Sequence, residues 1–248
     1  MIYAWISIYG LVLGSFFHVV GLRVPVKQSI LFPRSTCLHC GRKLQCVELI
    51  PVLSYVLQKG RCRKCKERIH LLYPLTELMT SFLFTLSFAS FGFSFQTLLA
   101  WTLCSLLVTV TVSDLTYKMI PDRILGIFFL LFFVERCFFP LDPWWDSLVG
   151  AGVAFVLLAA IAIVSDGGMG GGDVKLFAVI GFAVGTKMFL LAFFLATCFG
   201  TLIAIIGMAA GKLTRKSAIP FAPFIAAGTV LSFFFYQPIM RVYLSLFS

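Results

Sequence analysis

Leu103-Cys104-Ser105-Leu106-Leu107-Val108-Thr109-Val110-Thr111-Val112-Ser113 carries no charge and runs directly into Asp114-Leu115-Thr116-Tyr117-Lys118-Met119-Ile120-Pro121-Asp122. It closes an apolar segment over 95–113, near the ~20 residues that a helix needs to cross ~30 Å of hydrocarbon. Working outward, segments of the same kind recur at 2–22, 71–91, 124–140, 147–164, 174–187, 188–211 and 220–237. Composition agrees. Of 248 residues, 60% are hydrophobic and only 12% charged, whereas a soluble domain is about 25% charged. One soluble core cannot hide that much apolar surface, so the expected fold is an all-α polytopic membrane protein of about eight transmembrane helices. A small cytoplasmic loop domain of zinc type is expected between the first and second.

The net charge of +10 would point to nucleic acid in a soluble chain, but here its distribution reads as topology. Eleven of the 20 Lys and Arg residues lie between Arg23 and Arg68. If that loop is cytoplasmic, alternation of the spans puts 17 of the 20 on the same side and both termini outside. Trp144 and Trp145 then form an interfacial anchor at the outer face. Residues 2–22 lack the basic start and small-residue exit of a cleaved signal and read as a retained span. The organisation expected is a first helix at 1–22, a cytoplasmic loop at 23–70 and a helical bundle at 71–248.

Within the loop, Cys37-Leu38-His39-Cys40 and Cys62-Arg63-Lys64-Cys65 are two C-x2-C knuckles. Two such turns supply the four thiolates of a closed tetrahedral zinc site, and neighbouring basic residues offset its negative charge. A reducing compartment favours this over disulfides. With four ligands the site has no open position, so it reads as a structural staple for a loop too small to fold by core burial. His39 and His70 read as exposed loop residues, and Cys46, Cys104, Cys137 and Cys198 as small buried apolar ones.

Acids are scarce enough to take individually. Asp142 and Asp146 fit outer-loop solvation, Glu135 beside Arg136 reads as a local pair, and Glu48 and Glu67 belong to the basic loop. Asp122 sits where an N-cap belongs. Asp114 ends a span, where a charge is costly, and Asp173 follows Gly167-Gly168-Met169-Gly170-Gly171-Gly172 at the start of another. No Gly-Lys-Ser/Thr follows the glycines, which excludes a phosphate loop. A glycine floor lets a peptide backbone approach closely. Two carboxyls about 3 Å apart cannot both ionise, so a pair of this kind divides into general base and general acid. Residue spacing alone leaves two independent helix-end acids as the alternative.

Taken in order, the motifs resemble the type IV prepilin peptidases, membrane aspartic proteases of the Gly-x-Gly-Asp type. Gly14-Ser15-Phe16-Phe17-His18 is similar to the opening motif, with His18 where Asn is usual. Pro33-Arg34-Ser35-Thr36-Cys37, Ile50-Pro51-Val52-Leu53-Ser54-Tyr55 and Gly60-Arg61-Cys62 resemble the zinc-type loop, and Tyr73-Pro74-Leu75-Thr76-Glu77 follows it. Asp114 to Asp122 resembles the first catalytic motif, Gly170-Gly171-Gly172-Asp173-Val174-Lys175-Leu176 the second, and Ile219-Pro220-Phe221-Ala222-Pro223-Phe224 a late one. The resemblance implies a catalytic pair, Asp114 and Asp173, with Gly170, Gly171 and Gly172 in the active-site loop, and structural Zn2+ on Cys37, Cys40, Cys62 and Cys65. It implies cleavage of prepilins or pseudopilins after a Gly, between a short basic leader and an apolar helix. Members with the long cysteine loop also methylate the new amino terminus with S-adenosylmethionine, so that role is expected of the loop at 23–70. The compact chain is most similar to competence-associated members, which serve DNA uptake.

Other classes fit less well. An ion- or solute-coupled transporter would hold its acids near the midplane within repeated broken helices, neither of which the sequence contains. A nucleic-acid module in the loop would offer only Tyr55 for stacking between the knuckles, so no direct nucleic-acid partner is expected. The partners expected are the bilayer and the prepilin substrates.

Overall fold

The computed structural model describes residues 1–248 apart from 33–34, 38, 166–167, 213, 215–218 and 246–248. Pro33, Arg34 and Leu38 of the loop motifs, Gly167 of the glycine run and the side chain of Cys46 therefore lie outside the described residues. Among the described residues the fold is all helical. The helices are α1 (Ile2–Arg23), α2 (Leu53–Leu57), α3 (Leu72–Phe91), α4 (Phe95–Tyr117), α5 (Asp122–Phe138), α6 (Asp146–Val164), α7 (Gly171–Val184), α8 (Thr186–Ala209) and α9 (Ala222–Ser245). A 3-10 turn, Cys46–Leu49, precedes α2. Apart from α2, the helices occupy the eight expected segments, and α1, α4, α6, α8 and α9 are each long and apolar enough to cross a membrane.

The chain packs as two compact units, Met1–Thr116 and Tyr117–Ser248. In the first, α1 lies against α3 through small residues and hydroxyls, the contacts that hold helices together where burial itself gives no driving force. A Cβ on Gly14 would sit 2.8 Å from the Glu77 Cα, so only glycine permits this approach. Ser81 donates to the Ser7 carbonyl at 2.9 Å, and the Trp101 ring of α4 stacks on Phe84 with centroids 5.1 Å apart.

In the second unit, α7 is packed by α5, α6, α8 and α9. At 14 residues it spans about 21 Å, shorter than the hydrocarbon thickness. It contacts α6 at Gly150 and Gly181, where a Cβ on Gly150 would strike the Gly181 carbonyl. Its far end is met by Arg136 of α5, which donates from Nε to the Ala183 carbonyl at 2.9 Å. Ser232 of α9 donates to the Met188 carbonyl of α8 at 2.6 Å.

Several expectations change. Asp146 is more than a solvated loop acid: it begins α6 and accepts from the Thr186 hydroxyl at 2.7 Å, capping α8 from forty residues away. Cys104 is buried as expected, but Cys137 and Cys198 are exposed on apolar helices. The carbonyl of Ala183, not a local partner alone, engages Arg136. Trp144 and Trp145 are exposed.

Candidate functional site

The two knuckles fold alike. Cys37 N–H donates to the Arg42 carbonyl at 2.9 Å, Gly41 N–H to the Cys37 carbonyl at 2.9 Å, and one antiparallel bridge joins Thr36 to Lys43. In the second knuckle Cys62 N–H donates to Glu67, Lys66 N–H to Cys62, and Arg61 bridges Arg68. The residue after each second cysteine, Gly41 or Lys66, turns the chain with positive φ, 67° and 60°. These turns converge the sulfurs of Cys37, Cys40, Cys62 and Cys65 to within 4.8 Å of one another. The Cys37 and Cys65 sulfurs are 3.8 Å apart, which matches the edge of a tetrahedron with Zn–S near 2.3 Å and is far from a disulfide. The four residues fit a metal ion of the zinc type. His39 and His70 are exposed and outside this cluster, and the Leu72 N–H donates to His70 Nδ1 at 3.2 Å where α3 begins.

Backbone N–H groups of Cys65 and Lys64 lower the Cys62 thiol to about 6, which favours the ligating thiolate. The Glu67 N–H lowers Cys65, but burial and the sulfurs of Cys62, Cys37 and Cys40 outweigh it and push that thiol up to about 11.

Glu48 is the loop's internal anion. Its side chain is 1% exposed and accepts from Gln45 N–H at 2.9 Å and from the Arg42 guanidinium, with Arg63 Nε 3.7 Å away. The Gln45 N–H, then Arg42, hold its carboxyl below the usual range despite burial. The sequence places it, with Glu67, in the basic loop. The capping pattern Gln45-x-x-Glu48 was a usable signal.

Where the loop meets the helices, a buried polar cluster forms. His18 Nδ1 lies 2.9 Å from Thr76 Oγ1, and its ring faces Tyr73 with centroids 3.9 Å apart. Glu77, buried beside Gly14, accepts from Val52 N–H at 2.8 Å. His18 thus stands in a packed position of the opening motif, and Glu77 ties the loop to α3.

Asp114 is buried, 6% exposed, and lies inside α4, which continues a turn beyond it to Tyr117. In the second unit Asp173 occupies the first turn of α7, with Gly170 as N-cap. An acid there complements the helix dipole. A Cβ on Gly170 would stand 3.1 Å from Asp173 Oδ2, and one on Gly172 would stand 3.0 Å from the Ile120 Cβ, while Gly171 has open space. Asp122 is not an N-cap. Pro121 takes that position, and Asp122 binds Lys175 Nζ through both oxygens at 2.8 and 2.9 Å. Ile120 and Asp122, six and eight residues after Asp114, therefore contact Gly172 and Lys175, one residue before and two after Asp173.

Comparison with known proteins adds an independent line. Residues 8–91 match the model of the bacterial peptidase A24 N-terminal domain, and residues 101–205 match that of the type IV leader peptidase family. A Bacillus subtilis protein named prepilin leader peptidase/N-methyltransferase is 45% identical over 240 residues, covering 96% of each chain. One of the same name from Burkholderia pseudomallei is 29% identical over 271 residues, covering 95% of this chain and 86% of its own length. Another from Myxococcus xanthus is 36% identical over 190 residues, covering 71% of this chain and 54% of its own. No solved structure matches.

Proposed function

We propose a function from the premise that this chain belongs to the type IV leader peptidase family: it is a multi-pass inner-membrane enzyme that processes prepilins and methylates the product. Asp114 and Asp173 are the proteolytic pair. Their carboxyls share a proton, so the ionised one takes a proton from water as that water attacks the scissile carbonyl carbon. The protonated one donates to the carbonyl oxygen; as the tetrahedral intermediate collapses, the carboxyl that took the proton from water gives it to the departing amine and the other takes one back from the hydroxyl. No acyl-enzyme forms, and the two groups titrate as a unit.

The observation that carries this reading is the double tether after Asp114: Ile120 against Gly172 and Asp122 on Lys175. It supports both carboxylates serving one reaction centre, because each motif's flank is fixed to the other's. Gly170, Gly171 and Gly172 then form the floor on which the substrate backbone rests, with Gly171 open to receive it.

The substrate is a chain with a short basic leader, a Gly before the cut and an apolar helix after it. The cysteine loop lies in the cytoplasm and both termini outside, on the strength of the basic residues gathered between Arg23 and Arg68. The loop at 23–70 serves the methyltransferase activity, and the bundle at 71–248 the peptidase. Zinc on Cys37, Cys40, Cys62 and Cys65 supplies a closed structural crosslink, with no position left for a reactant. S-adenosylmethionine supplies the methyl group to the freed amine. The processed pseudopilins serve a DNA-uptake apparatus.

Membranes containing the protein, incubated with a prepilin carrying a Gly-Phe junction, give a product lighter by the leader. Adding S-adenosylmethionine raises that product by about 14 Da, one methylene per methyl transferred for a proton. Full cleavage by Asp114→Asn or Asp173→Asn would sink the assignment of the pair.

A further inference from the structure

The chain between the two knuckles leaves and re-enters one place, because the four sulfurs at its base lie within 4.8 Å of one another. Its tip folds back onto α1 and α3. Val52 N–H is bound by Glu77, whose Cα is the atom a side chain on Gly14 would strike. Leu49, Ile50 and Leu53 line one cleft with Ile8, Leu11 and Val12 of α1. Those three residues sit at the middle of that helix. Tyr3 and Trp5 are exposed at its start and Arg23 stands at its end. From Val12 to Arg23 is about 16 Å at 1.5 Å per residue, close to half of a ~30 Å hydrocarbon layer.

Charge follows the same geometry. From Val47 to Leu57 every exposed residue is apolar: Val47, Leu49, Ile50, Leu53, Val56 and Leu57, each 42% exposed or more. Glu48, the one acid in this stretch, is buried in its ion pair. Exposed basic residues return at Lys43 on one side and Lys59 on the other. On α1, Ile8 and Val12 are themselves 52% and 53% exposed, so the tip prolongs the surface that a spanning helix presents to lipid. Irregular backbone at membrane depth needs its polar groups satisfied by protein. Glu77 does this for Val52, where φ of 58° breaks the run between the 3-10 turn and α2.

We propose that residues 47–57 form a re-entrant segment seated among the acyl chains beside α1, with lipid as its covering partner and the cysteine cluster closing its base. The loop between the first two spans is therefore only partly aqueous.

The test uses the full-length, zinc-loaded protein in liposomes. A ketone-bearing amino acid placed at Leu53, Val56 or Lys59 and coupled to a nitroxide avoids the native cysteines. At Leu53 and Val56, relaxation by oxygen dominates and relaxation by a water-soluble nickel chelate is lost, whereas at Lys59 the nickel chelate dominates. Zinc content identifies any label that disturbs the insert. Hydrogen exchange of the unlabelled protein in lipid nanodiscs, read on peptides covering 47–57, supplies the result without substitution: protection in lipid that persists without substrate. Nickel access at both tip positions, or rapid exchange of those peptides, overturns the proposal. So does protection that arises only when prepilin is added, which assigns the face to the substrate helix, or only in a dimer fraction, which assigns it to a second copy.

Discussion

The cysteine insert and the glycine turn before α7 both interrupt the regular helices, and they are secured by unlike forces. The insert closes on four converging sulfurs and a buried Glu48–Arg42 pair. Among the described residues, the glycine turn engages an exposed ion pair, Asp122–Lys175, whose side chains are 70% and 52% exposed, and the contact of Ile120 with Gly172. The difference separates architecture from chemistry. A region that must keep one shape is built from strong, enclosed contacts. The glycine turn is built from weak ones, with open backbone at Gly171.

The largest expected effect sharpens that contrast at its chemical end. Asp114→Asn and Asp173→Asn each lower prepilin cleavage by about 10²–10⁴-fold, the range for loss of a general acid or base, with the protein still inserted and zinc-loaded. Mass spectrometry of the product measures it, and near-normal cleavage in either variant breaks the comparison. Next, Cys37→Ser removes one of four ligands. Zinc is lost and the insert becomes sensitive to protease, because metal binding supplies its folding free energy. Cleavage stays within about tenfold of the parent while methylation falls further, on the order of a cofactor-dependent loss of ~10²-fold. Parallel loss of both activities would show that the two regions are not separable.

A smaller effect is pH-linked. The folded carboxyl of Glu48 lies below its unfolded value near 4.5, so its stabilisation is complete above that value and is lost as pH falls through the lower folded one. Glu48→Gln therefore makes the insert easier to digest at neutral pH, and the gap from the parent narrows below pH 4.5. A gap independent of pH would mean that packing, not charge, is what Glu48 supplies. Smallest of all, Asp122→Asn removes an exposed ion pair worth about 0.2–1 kcal/mol. Cleavage falls by no more than about fivefold, and added salt lowers the parent toward the variant. A loss as large as that of Asp114→Asn would make Asp122 part of the chemistry and not of the tether.

Much of this was readable from residue order. Apolar length located all eight main helices, because burial of a backbone in hydrocarbon leaves the helix as the way to satisfy its own hydrogen bonds. The cysteine spacing located the knuckles. What escaped were partnerships across long sequence separations: Asp146 with Thr186, Asp122 with Lys175, and Val52 with Glu77. A carboxylate at a helix start reads as a local cap, and nothing nearby in the chain reveals a lysine 53 residues away. Helix ends also shifted. Asp114 lies within α4 because Leu115, Thr116 and Tyr117 carry no breaking signal, and α7 starts at Gly171 because Gly170 takes the cap. Cys137 and Cys198 were expected inside, but in an apolar solvent a small thiol has no reason to hide.

The short α7 has one more consequence. A helix about 21 Å long cannot have both ends at the surfaces of a ~30 Å layer. Its Asp173 end carries the open glycine, while its Ala183 end stops within protein and is stoppered by the half-buried Arg136. Beside that stopper, Phe182 packs on Phe129 and Phe133 with ring centroids 5.0 and 6.3 Å apart. A hydrolase set in an energised membrane has to draw water from one side without letting protons leak through from the other. Here the foreshortened helix ends inside the protein, and a guanidinium with a plug of aromatic rings seals that end.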